Sequence, residues 1–129
     1  MPFRESGSTS NHYWSTNLGP VHVIALSSYE STARDSAQFA WLLADLEATD
    51  RTATPWVVVT FHVPWYNSNY NHRAEGELMR AHLEELLFDY GVSLVLSGHV
   101  HAYERNTPVF DGCPNACGPH YLNLGDGGN

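Results

Sequence analysis

The chain has 129 residues, 43% of them hydrophobic and 12% aromatic, enough for one modest domain with a real core and unlike a disordered segment. Fourteen Asp and Glu against six Lys and Arg give a formal net charge of −8, so the chain lacks the positive charge to neutralise a run of phosphates, and no nucleic-acid partner is expected. Eight histidines outnumber the cations, and neutral imidazole is the commonest ligand of transition metals.

Taken in order, residues 1–19 are polar, punctuated by Gly and Ser, and read as mostly loop; Met1-Pro2-Phe3-Arg4-Glu5 is not a signal peptide. Val21 to Leu26 is an apolar run of strand length. Asp35 and Ser36 start a helix whose apolar stripe, Phe39, Leu42, Leu43 and Leu46, predicts an amphipathic stretch to about Thr49. After Thr54-Pro55, the β-branched run Trp56 to Phe61 predicts a strand buried on both faces. A polar, aromatic loop over 62–74 leads to a second helix, roughly Glu75 to Tyr90, with Met79, Leu83, Leu86, Leu87 and Tyr90 on one face and Gly91 as its C-terminal stop. Val92 to Leu96 is another strand, 106–119 a loop rich in Pro, Gly and Cys, and Tyr121 to Leu124 a last short strand. No apolar run reaches membrane-spanning length, and no membrane partner is expected. Strand, helix, strand, helix, strand is the alternation of an α/β layered fold with parallel neighbours.

Three histidines follow strands. His62 comes directly after the first buried strand; His99 and His101 come after the next, just past Gly98. Ligands of open α/β sheets bind outside the carboxyl ends of the strands, so neighbouring strands would bring these imidazoles into one crevice. His-x-His spacing in extended backbone puts both rings on one side, and Gly98 is expected to supply the sharp turn at the strand end. Each feature alone fits a solvated histidine; together they favour a metal.

Longer stretches are more specific. "VVVTFHVPWYNSN", "LSGHVHAYER" and "LGDGGN", with "YWSTNLGPVHVIALSS" before them and "QFAWLLADLEATDRTATPW" and "EGELMRAHLEELLFDYGVSLVL" between, resemble the purple acid phosphatases in order and spacing across almost the whole chain. The resemblance implies the C-terminal half of a metallophosphoesterase αββα sandwich with mixed sheets, and residues 1–129 as a partial calcineurin-like domain. It implies that His62 and His99 bind a divalent metal (zinc, manganese or ferrous iron) and that His101 binds Fe(III). His72 falls near family histidines that bind phosphate or donate a proton, although Asn71-His72 stands where some members have two histidines; an exposed loop histidine is the rival reading. The implied reaction is hydrolysis of a small phosphorylated substrate, a phosphate monoester, at acidic pH. The rivals are a phosphodiesterase of the same superfamily and a metal-binding fragment without activity.

The family's Gly-Asp-x-Gly, Gly-Asp-x-x-Tyr and Gly-Asn-His blocks, which supply the remaining ligands, do not occur before His62. The resemblance therefore leads us to expect a longer, secreted parent, cut at both ends and carrying its signal upstream, and little activity from residues 1–129 alone. Asp126 in Gly125-Asp126-Gly127-Gly128 matches a late structural turn of the family. Elsewhere His22 reads as a core or sheet-packing histidine, His82 as solvated, and His12 and His120 as lacking convergent partners. Glu104 either orients an imidazole or pairs with Arg105. Trp65, Tyr66 and Tyr70 either line a substrate mouth or pack under the loop. Cys113 and Cys117 form a local disulfide or pair with a cysteine elsewhere in the parent.

Overall fold

A computed structural model describes residues 2–128. In chain order it contains α1 (Pro2–Glu5), β1 (Trp14–Leu18), β2 (Val21–Ala25), α2 (Ala37–Ala48), β3 (Trp56–Thr60), α3 (Glu77–Asp89), β4 (Leu94–Ser97), β5 (Tyr103–Arg105), β6 (Val109–Phe110), β7 (Cys113–Pro114), β8 (His120–Leu124) and a closing 3-10 turn, Gly125–Gly128. Six strands form one mixed sheet in the order β1-β2-β3-β4-β8-β5, and β6 and β7 form a separate small hairpin. Strands β2, β3, β4 and β8 run parallel, with antiparallel β1 and β5 at the two edges.

Local chemistry fixes the helix ends. Ser36 caps α2, its Oγ accepting the Phe39 N–H at 3.2 Å. At the end of α3, Gly91 takes φ 62°; its N–H reaches Phe88 O at 3.0 Å and that of Val92 reaches Leu87 O at 3.0 Å. These two bonds make a Schellman stop, which needs the left-handed backbone that glycine adopts without strain.

Both β-α-β crossovers step the same way along the sheet, and right-handed connections then put both helices on one face. That face carries the core. Ile24, Val57, Val59 and Val95 of the sheet pack with Leu42 and Leu46 of α2 and with Leu83 and Leu87 of α3, all essentially inaccessible to water. Burying each such side chain contributes about 1.5–3 kcal/mol.

The opposite face differs from expectation. Strand β3 is buried on one side only: Val58 is half-buried and Trp56 is 58% exposed. No helix of the described residues covers that side. A shallow groove of about 470 Å³ runs across it, lined by Val21, Trp56, Val58, Leu94, Arg105 and Leu122.

The amino-terminal region also departs from a loop. Polar Trp14–Leu18 pairs antiparallel with β2, Leu18 opposite Val21, through a two-residue turn in which Gly19 has φ 58°. Its register, rather than its composition, makes it a strand. Likewise β6 and β7 lie within the stretch expected to be loop, paired Val109 to Pro114 and Phe110 to Cys113. Cys113 and Cys117 are exposed free thiols, so the structure contains no local disulfide between them. Asp126 sits in the 3-10 turn.

Two outcomes follow for residues 1–129 expressed alone. Leu87→Ala is expected to lower unfolding stability by about 2–5 kcal/mol, measured by urea denaturation. Trp56→Lys is expected to change that stability by no more than about 0.5 kcal/mol. It should reduce concentration-dependent association in sedimentation velocity, because it places charge in a contiguous exposed apolar patch.

Candidate metal centre

The parallel pairing of β3 with β4 builds the site. Its hydrogen bonds continue past the strand ends: Phe61 N–H donates to Leu96 O at 3.1 Å and Gly98 N–H to His62 O at 3.0 Å. His62 and His99 are thereby brought side by side outside the carboxyl ends of adjacent strands. His62 Nε2 and His99 Nδ1 lie 3.0 Å apart, and the rings meet edge to face with centroids 4.9 Å apart.

The turn that aims His99 is not made by Gly98. His99 itself has φ 63°, a conformation costly for a side chain with a Cβ, while Gly98 has no positive φ. A Cβ at Gly98 would only touch His62 Nδ1 at 4.0 Å. Strain is thus held at the candidate ligand, and neighbouring structure supports it. Buried Asn123 of β8 donates through Nδ2 to the carbonyls of Val100 at 2.8 Å and Ala102 at 2.5 Å. Gly125 packs so closely that a Cβ there would sit 2.0 Å from Val100 O.

His72, from the loop after β3, completes a line of rings, its centroid 4.9 Å from that of His99. A residue not singled out in the sequence joins the two. Glu75 Oε1 pairs with His72 Nδ1 at 3.0 Å, and Glu75 Oε2 with His99 Nε2 at 2.7 Å. One ligand atom each from His72, Glu75 and His99 falls within 4.8 Å of the others. The sequence does carry a signal for Glu75: an acid three residues after a histidine, where a turn brings i and i+3 together. His101 is exposed and near enough for its charge to act on His62.

Other candidates move. Glu104 neither orients an imidazole nor pairs with Arg105; it accepts from the Ser68 N–H at 2.9 Å and from Ser68 Oγ at 3.2 Å, tying the 62–76 loop to β5. His12 has a partner, Glu30. His82 is half-buried with Nδ1 3.0 Å from Thr32 Oγ1, because α3 leans that face on the segment before α2. His22 is buried in the sheet, as expected, between Asp45 at 2.8 Å and Asn17 at 2.6 Å. Trp65 is buried in the core, Tyr66 packs against it, and Tyr70 is 87% exposed. His120 sits on the open sheet face, lining the groove.

The donor set fits a metal. Two nitrogens bonded to one ion at ~2.05 Å stand ~2.9 Å apart in octahedral geometry and ~3.3 Å in tetrahedral geometry, which brackets the His62–His99 spacing. Partial burial, and then the charges of His99 and His101, hold His62 below its ordinary value of 6.5, which favours the neutral form that binds metal. The hydrogen bond from His72 is the largest influence on Glu75 and lowers it below the usual 4.5; a slight loss of hydration opposes this, and His99 adds to the lowering. An NMR titration of the metal-free protein is expected to give His62 a midpoint below 6.5, and His99→Ala should move it back up.

A model of the calcineurin-like phosphoesterase family matches residues 5–103. Over 129 residues the chain is 53% identical to purple acid phosphatase 18 of Arabidopsis thaliana and 51% identical to purple acid phosphatase 22 of the same plant; the match takes in 100% of this chain and 30% of each relative. Among solved structures, a purple acid phosphatase from yellow lupin (Lupinus luteus) seeds matches with a TM-score of 0.82 at 24% identity, over 89% of this chain and 23% of that one. The chain therefore spans under a third of the length of these curated relatives. With the family model matching most of its residues, the chain belongs to the calcineurin-like phosphoesterase family.

Proposed function

We propose that residues 1–129 form the C-terminal part of the catalytic domain of a metal-dependent acid phosphatase that hydrolyses phosphate monoesters at a dinuclear centre. The observation that carries this reading is the pair His62 Nε2 and His99 Nδ1, 3.0 Å apart at the carboxyl ends of adjacent parallel strands, with His72 on the far side of His99. Fold alone would not carry it, since one fold serves many functions; the placement of these side chains does, together with their setting among purple acid phosphatase relatives.

In this reading His62 and His99 hold a divalent ion, zinc, manganese or ferrous iron, and His101 contributes to Fe(III). When bound, the two ions supply positive charge against the phosphate and polarise it toward attack by water. The chain's own residues do the rest. The 62–76 loop closes one side of the site and places His72 beside His99. With Nδ1 of His72 and its hydrogen engaged by Glu75, Nε2 is the nitrogen left for a phosphate oxygen or the leaving group, and it donates a hydrogen bond or a proton there in the imidazolium form, in which both ring nitrogens carry hydrogen. The substrate is a small phosphorylated molecule, admitted because the only strong positive charge in an otherwise acidic chain would be local to the metals.

The test uses the parent protein loaded with iron and zinc. His99→Ala and His101→Ala are each expected to reduce turnover of an aryl phosphate by at least about 100-fold, since even residues that merely support a ligand are worth roughly 10- to 100-fold. Near-normal turnover in both variants would refute the assignment. Residues 1–129 alone are expected to retain at most one ion per chain and to show no visible charge-transfer band.

A further inference from the structure

We propose that Glu75 is a positioning residue: it fixes the tautomer and ring orientation of His99 and ties His72 to the same ring. The inference rests on the proposed function for its setting, but its argument is geometric. Carboxylate oxygens of an ionised Glu75 only accept, so both nitrogens that face it must carry hydrogen. His99 Nε2, 2.7 Å from Glu75 Oε2, is therefore the protonated nitrogen. In the neutral ring that leaves Nδ1 with the lone pair, and Nδ1 is the atom 3.0 Å from His62 Nε2. Glu75 thus selects the tautomer whose free lone pair points to where a shared ion would sit. Without such a partner a histidine ring is free to exchange tautomers and to turn about χ2.

The same carboxylate reaches His72 Nδ1 through its other oxygen at 3.0 Å. A displacement of His99 is consequently felt at His72, and the reverse. Glu75 lies across the His99 ring from the His62 contact, so it supports the ion from behind and does not share it. Its own position is set by its neighbour in sequence. A Cβ on Gly76 would stand 2.5 Å from Pro64 O, so the backbone beside Glu75 packs directly on the segment that follows His62. The three parts of the site, after β3, before α3 and after β4, meet at this one carboxylate.

The experiment compares wild-type, Glu75→Ala and Glu75→Gln forms of the parent protein. Glu75 is exposed, so neither variant is expected to disturb folding. Histidine nitrogen–proton correlation spectra of the metal-free proteins read the tautomer without reference to activity. Wild type should show His99 protonated on Nε2, and Glu75→Ala should show a mixture. Competition with a chromophoric zinc chelator should show affinity falling roughly 10- to 100-fold in Glu75→Ala at unchanged stoichiometry, with Glu75→Gln nearer to wild type because it keeps one acceptor. An unchanged His99 tautomer with unchanged affinity would overturn the proposal. So would the loss of one whole ion per chain with an unchanged tautomer, which would make Glu75 a ligand. Wild-type protein without phosphatase activity would refute the proposed function, while the tautomer result would still decide the role of Glu75.

Discussion

The candidate metal centre hangs on one register, the parallel alignment of β3 with β4. Val59 faces Val95 and Thr60 faces Leu96, and two further backbone bonds carry the ladder to His62 and Gly98. Because parallel neighbours end at the same edge, loops 37 residues apart in sequence are delivered to one place. A slip of one residue between the strands would turn either Val57 and Val59 or Val95 out of the core, so the hydrophobic effect that holds the sheet to its helices also holds His62 beside His99. The core thereby sets the spacing of the two strand ends, while the strained backbone of His99 takes its support from Asn123 and Gly125.

The loop between His62 and α3 has no regular structure, yet it is tied down on three sides. Ser28 Oγ accepts the N–H groups of His62 at 3.1 Å and Val63 at 3.0 Å. Glu104 holds Ser68. Tyr66 donates its hydroxyl to Glu84, a nearly buried carboxylate that also takes Arg80 at 2.6 Å. Burial and then the bond to Glu84 push the Tyr66 hydroxyl up to about 12, which keeps it a donor. The Gly112 N–H in turn bonds to Tyr66 Oη at 3.0 Å, so the β6–β7 hairpin is fastened to the same network. The segment that carries His72 and Glu75 is thus tied to its neighbours through side chains over residues 62–68, without regular backbone pairing.

What could be read in the sequence was what periodicity and position reveal. The alternation β2-α2-β3-α3-β4, the Ser36 cap and the Gly91 stop all follow from local chemistry, and so did the gathering of His62 and His99 at strand ends. What could not be read depended on partners distant in the chain. Strand β1 is polar and sits at an edge, so only its pairing with β2 identifies it. Buried Glu84 reads as an ordinary helix-surface acid until Tyr66 and Arg80 are placed on it. Glu75 looked like the start of a helix, and its meaning appears only when His99 arrives from 24 residues away. The left-handed turn was sought at Gly98 because glycine is its usual host; instead the fold imposes it on His99, and a sequence rule built on steric ease misses a residue held there by its surroundings.

Asn123 and Gly125 give the chain a timetable. Val100 O accepts the Ala102 N–H locally at 2.7 Å, but the side-chain amide that ties the carbonyls of Val100 and Ala102 together comes from β8, the strand inserted last in sequence between β4 and β5. During synthesis the helical face and the first three parallel strands can collapse while the His99 turn remains without its support. The geometry around His99 is therefore a late product of folding, complete only after residue 125 has left the ribosome and docked.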